Sequence, residues 1–234
     1  MPSVIRTYLH NFINLFYPEY CAGCGKILIR SEAALCFSCQ HDLPHAHIHD
    51  ERDNQIERLF WGRADVQLAT AFLRMSKEGL VQRIIHELKY RENQDIGKQL
   101  GKMFALELLK SERLNSVDVL IPVPLHPKKQ KMRGYNQSLC IVQGMQEILG
   151  CSIDSTTLFR TRYTESQTRK HRYQRWQNVS DLFAVRQPET LKGKEVMLID
   201  DIITTGSTVE ACVHALKKIP EVRISVGAIA YPSK

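Results

Sequence analysis

The stretch that decides the fold is Val196-Met-Leu-Ile-Asp200-Asp201-Ile-Ile-Thr204-Thr205-Gly206-Ser207-Thr208. Its four apolar residues predict a buried strand with two carboxylates at the C-terminal tip, and a helix is expected to begin at about Ser207. Open α/β sheets bind ligands at such strand tips. Because the turn residues are small, their backbone N–H groups can approach a phosphate at the helix N-terminus. The stretch therefore predicts a phosphorylated-sugar site, with Asp200 and Asp201 placed to meet sugar hydroxyls or hydrated Mg²⁺.

Two other interpretations of this stretch explain less of it. In the plainer one, Asp200 or Asp201 only caps the helix that follows. A cap needs a single Asp, so it does not explain the hydroxyl-rich turn Thr204–Thr208. A Walker A nucleotide loop would need Gly-x-x-x-x-Gly-Lys-Ser/Thr, which the sequence lacks. The second acid and the turn therefore favour the sugar-phosphate site.

Strands and helices alternate along the rest of the chain. Residue periodicity predicts strands at 65–75, 117–122, 157–160, 182–185 and 222–231, and helices at 78–88, 96–109, 134–149 and 207–218. This alternation is typical of an α/β fold with a mostly parallel sheet, right-handed crossovers and flanking helices. We expect one main domain over residues 51–234 and a small N-terminal unit over residues 1–50.

The bulk properties narrow the classes of partner. The 234 residues carry a net charge of +7 and the pI is near 9.0, which favours anionic partners such as phosphate esters, nucleic acid or acidic lipid. The sequence has no run of about 18 apolar residues, so no membrane insertion is expected. The first residues lack the apolar core and cleavage site of a signal peptide. A cytoplasmic protein is therefore expected.

The cysteines form a metal-binding pattern in the first fifty residues. Two of the seven, Cys21 and Cys24, make one Cys-x-x-Cys pair, and Cys36 and Cys39 make another. Four thiolates at this spacing suit tetrahedral Zn²⁺ with every position filled. Residues 18–45 have too few apolar side chains to bury a core alone, so metal binding would supply folding free energy. The sequence thus predicts a structural zinc finger.

Two alternatives remain open for this segment. A redox role would need a single Cys-x-x-Cys at a helix start beside a strand, and two pairs argue against it. One of His41, His45, His47 and His49 could replace a cysteine as ligand. Otherwise these four histidines are expected to be solvated loop residues. Ahead of the finger, apolar residues at helical spacing from Val4 to Phe16 predict a short helix that packs on the protein or docks a partner.

Two basic segments lie in predicted loops and can supply positive charge opposite the hydroxyl-rich turn. The first, residues 126–138, follows the strand tip at Pro122 and should reach the same edge of the sheet. The second spans residues 160–175. The candidate contacts to nucleic-acid phosphates are Lys131, Arg133, Arg169, Lys170, Arg172 and Arg175, and the interleaved Tyr135, Tyr163, Tyr173 and Trp176 could stack bases. The alternative is solvated loops with aromatic residues in ordinary packing.

These motifs resemble two related groups of proteins. The strand and turn at 196–208 resemble the signature of type I phosphoribosyltransferases. The motifs Pro122-Val-Pro-Leu-His-Pro127, Arg133-Gly-Tyr-Asn-Gln-Ser138, Thr164-x-x-Gln167 and Arg175-x-x-Asn178-Val179, behind a four-cysteine finger, are similar to those of the late-competence ComF family. The resemblance covers nearly the whole chain. It implies a type I phosphoribosyltransferase-like sheet preceded by a small zinc finger, in a bacterial cytosolic protein of natural transformation.

The resemblance also implies roles for individual residues. Asp200 and Asp201 would hold the ribose hydroxyls of phosphoribosyl pyrophosphate (PRPP). The residues that would cradle its 5′-phosphate are Thr204, Thr205, Gly206, Ser207 and Thr208. Leu125–Lys129, including Lys128 and Lys129, would hold pyrophosphate, and Mg²⁺ would bridge pyrophosphate and ribose oxygens. Thr164–Asn178 would be the hood that closes over the site.

Three functions are compatible with these observations. In the first, the protein binds PRPP with Mg²⁺ and binds or acts on incoming single-stranded DNA. In the second, it is an active phosphoribosyltransferase with an unidentified acceptor, and Asp200 and Asp201 stabilise positive charge on the sugar. In the third, it is an adaptor for a helicase or recombination mediator, although a degraded site would tolerate bulkier residues in the turn. We favour the first and leave catalysis open.

Overall fold

The computed structural model describes residues 18–91, 93–114, 116–161 and 182–233. The strands within them are β1 (Leu68–Met75), β2 (Val119–Pro122), β3 (Ser152–Ile153), β4 (Leu158–Arg160), β5 (Phe183–Val185), β6 (Glu195–Ile202) and β7 (Arg223–Pro232). The helices are α1 (Phe37–His41), α2 (Leu80–Tyr90), α3 (Gln94–Leu108), α4 (Pro127–Arg133), α5 (Gln137–Leu149) and α6 (Ser207–Leu216), and short 3₁₀ turns cover Glu57–Leu59 and Pro188–Leu191. No helix in these ranges is long and apolar enough to cross a membrane.

Five strands form one parallel sheet in the order β1-β7-β6-β2-β3. Strand β6 lies at its centre, between β2 and β7, with Ile199 opposite Pro122 on one side and Gly227 on the other. The C-terminal ends of parallel strands share one edge, so Asp200 and Asp201 open onto that edge beside the end of β2. Strands β4 and β5 form a separate antiparallel pair. The prediction of a mostly parallel sheet with flanking helices is confirmed.

The core lies on both faces of the sheet because the pleat of β6 sends alternate side chains to opposite sides. Met197 and Ile199 belong to a buried cluster that α2, α3 and α5 complete with Leu88, Leu100, Phe104 and Ile141. Val196 and Leu198 belong to a second cluster that includes Val213 and Leu216 of α6. Burial on both faces explains why β6 is apolar at every position from Val196 to Ile199, between Glu195 at its start and the aspartates near its end.

Helices α3 and α5 pack with their backbones in contact. A Cβ atom added to Gly101 would lie 2.1 Å from the carbonyl oxygen of Ile141, and one added to Gly144 would lie 2.0 Å from that of Lys98. Only glycine permits this approach, so the two helices form one tightly joined layer against the sheet. The N-terminal residues of α5 lie directly beside the tip of β6.

The cysteine unit is attached to the same layer. Ala34, Leu35 and Leu43 are buried in the cluster that contains α3 and α5. The side-chain oxygen of Gln99 on α3 accepts hydrogen bonds from the backbone N–H groups of Ala34 and Leu35, at 2.9 and 3.0 Å. The domain boundary at residue 50 stays a prediction. The expected N-terminal helix over Val4–Phe16 lies outside the described residues.

Two sequence expectations were wrong in detail. Part of the first basic segment is not a loop, because Pro127–Arg133 forms helix α4. His126 caps this helix by accepting from the N–H of Lys128 at 3.1 Å, Pro127 fits its first position, and Gly134 ends it with a φ of +75°. The following helix, expected from Gly134, begins at Gln137 instead. The two-residue edge strand β3 was too short to leave a periodic pattern.

Candidate functional site

The bend after β6 presents unpaired backbone donors. Gly206 has a φ of +75°, and the N–H groups of residues 204–208 donate to no acceptor within the described part of the chain. Helix α6 begins at Ser207, so its unpaired N–H groups and dipole favour an anion at the bend. The hydroxyl oxygens of Thr205 and Ser207 lie 3.1 Å apart. The bend can therefore accept an anionic group such as phosphate.

The two aspartates at the tip of β6 have different surroundings. Asp201 pairs with Lys89 of α2, whose Nζ lies 2.8 Å from Oδ2. Oδ1 of Asp200 accepts from the backbone N–H of Asp201 at 2.8 Å and from the Ser138 hydroxyl at 3.4 Å. Burial, followed by the charge of Asp201, raises the pKa of Asp200 to about 7. Asp200 therefore exchanges a proton near neutral pH.

Positive charge gathers on the other side of the aspartates. Lys129 and Arg133 come from α4, Arg160 ends β4, and all three line the same cavity as the aspartates. The Nε atoms of Arg133 and Arg160 are buried without a hydrogen-bond partner within the described residues. Burial and the positive charges of Arg160, Lys128 and Lys129 lower the pKa of His126. Lys129, Arg133 and Arg160 therefore form the basic end of this cavity.

The larger of two adjoining cavities contains both aspartates and the basic residues. It has a volume of about 190 Å³ and is lined by Lys89, Val123, Pro124, Leu125, Lys129, Arg133, Asn136, Gln137, Ser138, Arg160, Asp200, Asp201, Ile202 and Thr208. A smaller pocket of about 40 Å³ adjoins it, enclosed by the bend and sharing Asp200, Ile202 and Thr208. Asp200 therefore lines both the larger cavity and the pocket formed by the bend, and Asp201 lines the larger cavity. The arrangement can hold a ligand with anionic groups at both ends and hydroxyls between them.

Of the other residues expected at the site, some line the cavity and others do not. Lys128 and Lys131 lie on α4 and are exposed, and neither lines the cavity. Arg133, expected to contact nucleic acid, lines the cavity and donates to Gln137 at 2.9 Å. Arg169, Lys170, Arg172 and Arg175 lie outside the described residues, as does the expected hood Thr164–Asn178.

Sequence reasoning missed several residues of the site. Lys89 and Ser138 reach it from α2 and α5, and Arg160 was counted only as part of a basic segment. Arg63 supports the bend from outside: it donates to the carbonyl of Thr205 at 3.1 Å, lies 3.5 Å from the Ser207 hydroxyl and pairs with Glu210. The ring of Phe60 packs under Gly206. The sequence near Arg63 shows only that it follows Gly62 in a segment with no predicted strand or helix, which does not indicate a contact with the bend.

The four cysteines of the N-terminal unit form one cluster. The Sγ atoms of Cys21, Cys24, Cys36 and Cys39 all lie within 4.8 Å of one another, although their residues span 19 positions of sequence. Backbone N–H groups of Gly23 and Cys36 donate to the sulfur of Cys21 at 3.4 and 3.3 Å. This soft, compact donor set could hold a metal such as zinc.

The electrostatics of the cluster agree with a cation at its centre. Burial acts to raise the pKa of Cys21, but N–H donors of Cys36, Cys24 and Gly23 outweigh it and lower that pKa to about 7. Burial and the neighbouring thiols raise the pKa of Cys39. Because four adjacent thiolates repel one another, all four can ionise together only around a positive ion.

Comparison with known sequences relates the chain to two named groups. A family model described as "Phosphoribosyl transferase domain" matches residues 145–230. The DNA utilization protein YhgH of Escherichia coli K12 is 30% identical over 192 residues, which are 81% of this chain and 80% of the relative. Competence protein F of Haemophilus influenzae is 27% identical over 151 residues, covering 63% of this chain and 66% of the relative.

Solved structures also match part of the chain. Glutamine PRPP amidotransferase from Bacillus subtilis matches with a TM-score of 0.42 and 23% identity, over 61% of this chain and 30% of the other. Adenine phosphoribosyltransferase from Trypanosoma brucei matches with a TM-score of 0.39 and 13% identity, over 77% of this chain and 69% of the other. The family model that matches residues 145–230 and the parallel sheet together confirm the expected phosphoribosyltransferase-like fold.

Proposed function

The chain belongs to the family of DNA utilization protein YhgH and competence protein F, and on that premise we propose that it serves in DNA uptake and use through a cavity that binds PRPP. The observation that carries the proposal is a pair of adjoining cavities: the bend forms the smaller, Asp200 lines both, and Asp201 lines the larger together with the basic residues. PRPP presents a 5′-phosphate, ribose hydroxyls and a pyrophosphate in the same order.

Each part of the cavity has a distinct role in this proposal. The N–H groups of residues 204–208 and the hydroxyls of Thr205 and Ser207 donate to the 5′-phosphate. The carboxylates of Asp200 and Asp201 accept from the ribose hydroxyls. Lys129, together with Arg133 and Arg160, faces the pyrophosphate. Mg²⁺ bound together with PRPP would neutralise pyrophosphate charge and would need few direct protein ligands.

Calorimetric titration of PRPP with Mg²⁺ tests this site. Wild type should bind PRPP with a one-to-one stoichiometry, and the double variant Asp200→Asn/Asp201→Asn should lose at least about tenfold in affinity. Asp154→Asn is a suitable control, because Asp154 caps a turn at Thr156 and Thr157 outside the cavity. Failure of wild type to bind PRPP, or equal binding by the double variant, would contradict the proposal.

Single-stranded DNA is proposed as the second partner. Beside the cavity, Tyr90 is 54% exposed, its ring lies 4.8 Å from that of His86, and the guanidinium of Arg133 lies 5.6 Å from its centre. An exposed aromatic ring next to a cation supports stacking of a base beside a bound phosphate. Lys131 extends the positive charge along α4.

DNA binding can be measured by fluorescence anisotropy with a labelled oligonucleotide at several salt concentrations. Affinity should fall steeply with salt because phosphate contacts release counterions. Tyr90→Ala should weaken binding by about 1–2 kcal/mol through lost stacking. Tyr20→Ala is the matched control, since Tyr20 is 57% exposed and lies beside the cysteines. Binding that ignores both salt and Tyr90→Ala would exclude this part of the proposal.

Phosphoribosyl transfer is the second candidate function, and the raised pKa of Asp200 favours it. A group that titrates near pH 7 can accept a proton from an attacking nucleophile. In this reaction a nucleophile bonds to C1 of the ribose, the C1–oxygen bond to pyrophosphate breaks, and pyrophosphate leaves with the electron pair. Pyrophosphate release from PRPP that depends on an added base or nucleic acid supports transfer, and its absence across a broad acceptor panel argues for binding alone.

The cysteine cluster is proposed to hold a structural Zn²⁺. Three of its four cysteines are buried, and its chain is tied to α3 by Gln99, so the metal would stabilise the attachment of the unit to the sheet. Cys24→Ser should remove zinc and lower the melting temperature. Cys151→Ser, outside the cluster, should do neither. Zinc retained by the first variant, or wild type purified without chelator and free of zinc, would contradict this assignment.

A further inference from the structure

Three histidines surround one carboxylate away from the cavity, where the chain after the cysteine unit passes α3. The Nδ1 atom of His45 lies 2.6 Å from Oε2 of Glu107. The Nδ1 atoms of His49 and His47 lie 3.4 and 3.8 Å from Oε1 of the same carboxylate. The expectation that these histidines are solvated loop residues is therefore wrong for His45 and His49, whose rings are largely covered.

The backbone holds this segment firmly against the edge of the sheet. The N–H of Ala46 donates to the carbonyl of Phe72 at 2.8 Å, and the N–H of Arg74 donates to that of Pro44 at 2.8 Å. The ring of His45 packs edge-on against Phe72, with centres 4.8 Å apart. Helix α3 places Glu107 opposite. The three histidines and the carboxylate are thus brought together by regular structure.

The charge of Glu107 requires a positive partner. The residue is 8% exposed, and its Oε1 is buried without a hydrogen bond within the described residues. Its described ion-pair partners are the three histidines. A buried carboxylate is costly unless a cation compensates it. A neutral imidazole supplies no charge, so either a proton or a metal ion must provide it.

His49 and His47 lie farther from Oε1 than a usual hydrogen bond, whereas His45 is within hydrogen-bond distance of Oε2. With bonds of about 2.0 Å, two ligand atoms of a tetrahedral ion lie about 3.3 Å apart, close to the 3.4 Å that separates Oε1 from His49. Imidazole nitrogens with one carboxylate oxygen are a typical donor set for borderline divalent ions. We propose that His45, His47, His49 and Glu107 bind a divalent transition-metal cation of the zinc class, separate from the cysteine cluster.

Binding requires one local adjustment. The rings of His45 and His47 are stacked, with centres 5.3 Å apart and planes 14° from parallel, so their nitrogens do not yet point at one another. The side chain of His47 is 70% exposed and has room to turn about its χ angles. His49 needs a smaller change, because its Nδ1 lies 3.4 Å from Oε1, and His45 exchanges its hydrogen bond to Oε2 for a bond to the ion. The site therefore closes around the ion chiefly through His47.

Native mass spectrometry after loading with Zn²⁺ tests the proposal. Wild type should carry one zinc ion more per chain than His47→Ala or Glu107→Gln. His41→Ala is the matched control, because His41 is an exposed residue of the same segment outside the cluster, and it should retain the wild-type count. His47 is exposed, so its removal leaves folding intact, which circular dichroism checks. The difference of one ion between wild type and variant holds whatever the cysteines bind.

Cobalt absorption provides an independent readout. Co²⁺ added to wild type that holds a single equivalent of Zn²⁺, which the four thiolates take first, should give ligand-field bands without thiolate charge transfer, because the ligands are nitrogen and oxygen. The affinity for Co²⁺ should fall more than about tenfold in His47→Ala. Equal zinc counts in wild type and His47→Ala overturn the proposal, as do thiolate bands or an equal loss in His41→Ala.

Discussion

The two ends of the cavity are built in different ways. The bend end comes from one continuous stretch, in which strand β6, the aspartates, the turn and the start of α6 follow one another within 13 residues, 196–208. The basic end is assembled from Lys89 on α2, Lys129 and Arg133 on α4 and Arg160 on β4. The first depends on local backbone geometry, and the second depends on how separate elements pack. Substitutions should therefore affect the bend sharply and the basic end gradually.

The largest effect is expected for Gly206→Ala. The φ of +75° disfavours any side chain by about 1–2 kcal/mol, and the added Cβ would lie 3.2 Å from the Phe60 ring. A displaced bend loses several charge-assisted hydrogen bonds, so the affinity for ribose 5-phosphate should fall about a hundredfold or more. Calorimetric titration of ribose 5-phosphate measures this loss.

Gly193→Ala is the matched control for that experiment. Gly193 has a φ of +68° with open space around it, so alanine causes the same kind of backbone strain without steric contact. This variant should lose about 1–2 kcal/mol of stability and keep its affinity. If both variants bind ribose 5-phosphate like wild type, the backbone of the bend does not hold the phosphate.

The second effect concerns the protonation of Asp200. Its pKa of about 7 means that the carboxyl is neutral in mildly acidic solution and accepts more strongly from ribose hydroxyls once ionised. The affinity for PRPP should rise several-fold between about pH 6 and about pH 8. In Asp200→Asn, the affinity for PRPP should change with pH only through the titration of PRPP itself. Asp65→Asn, on the surface, should keep the full rise in affinity. An unchanged pH profile in Asp200→Asn would contradict the assignment.

The stability of the ligand-free protein should change in the opposite direction. The folded-state pKa of Asp200 lies above the unfolded value of about 3.9, so the folded protein holds the extra proton between these limits. This group's contribution to stability therefore decreases as the pH rises from about 4 to about 7. Asp200→Asn should reduce that decrease in chemical denaturation.

A smaller effect is expected at the basic end. Lys129→Met should lower the affinity for pyrophosphate about tenfold through loss of one charged contact. Lys131→Met removes the same charge from the same helix, outside the cavity lining, and should cost less than about twofold. Titration of pyrophosphate into both variants compares them. Equal losses would mean that the helix acts only through its overall charge.

The smallest effect is expected from Arg63→Ala, which removes support behind the bend without touching the cavity. Ribose 5-phosphate affinity should fall about threefold, because the bend keeps its own sequence and its contact with Phe60. Arg58→Ala, in the same turn, should leave binding unchanged, since Arg58 lies over Trp61 and away from the bend. A loss as large as that of Gly206→Ala would show that Arg63 does more than support the backbone.

The same contrast explains what the sequence could predict. The bend was predictable because strand period, paired acids and turn residues are adjacent in the chain, and the cysteine cluster was predictable because its spacing alone suits one ion. Lys89 was not, because nothing near it marks which of several lysines reaches Asp201. Arg63 and Ser138 depend in the same way on packing between distant segments.

Some helix start and stop signals are present in the sequence although no apolar periodicity accompanies them. The cap at His126, Pro127 and the positive φ at Gly134 together specify helix α4, but seven residues without a buried side chain leave no apolar pattern. The His45–Glu107 contact joins positions 62 apart and has no local signature at all. Short exposed elements and long-range polar contacts are thus the parts that only the folded chain shows.

The glycine contact between α3 and α5 links distant parts of the molecule. Gln99 on α3 holds the cysteine unit, and Ser138 at the start of α5 reaches Asp200. Because the backbones of these helices touch at Gly101 and Gly144, without side chains between them, a displacement of one helix also displaces the other. If a metal bound by the cysteines holds these helices in place, it raises the affinity of the cavity for its ligand by some factor. Bound ligand must then raise the affinity of the cysteines for the metal by the same factor.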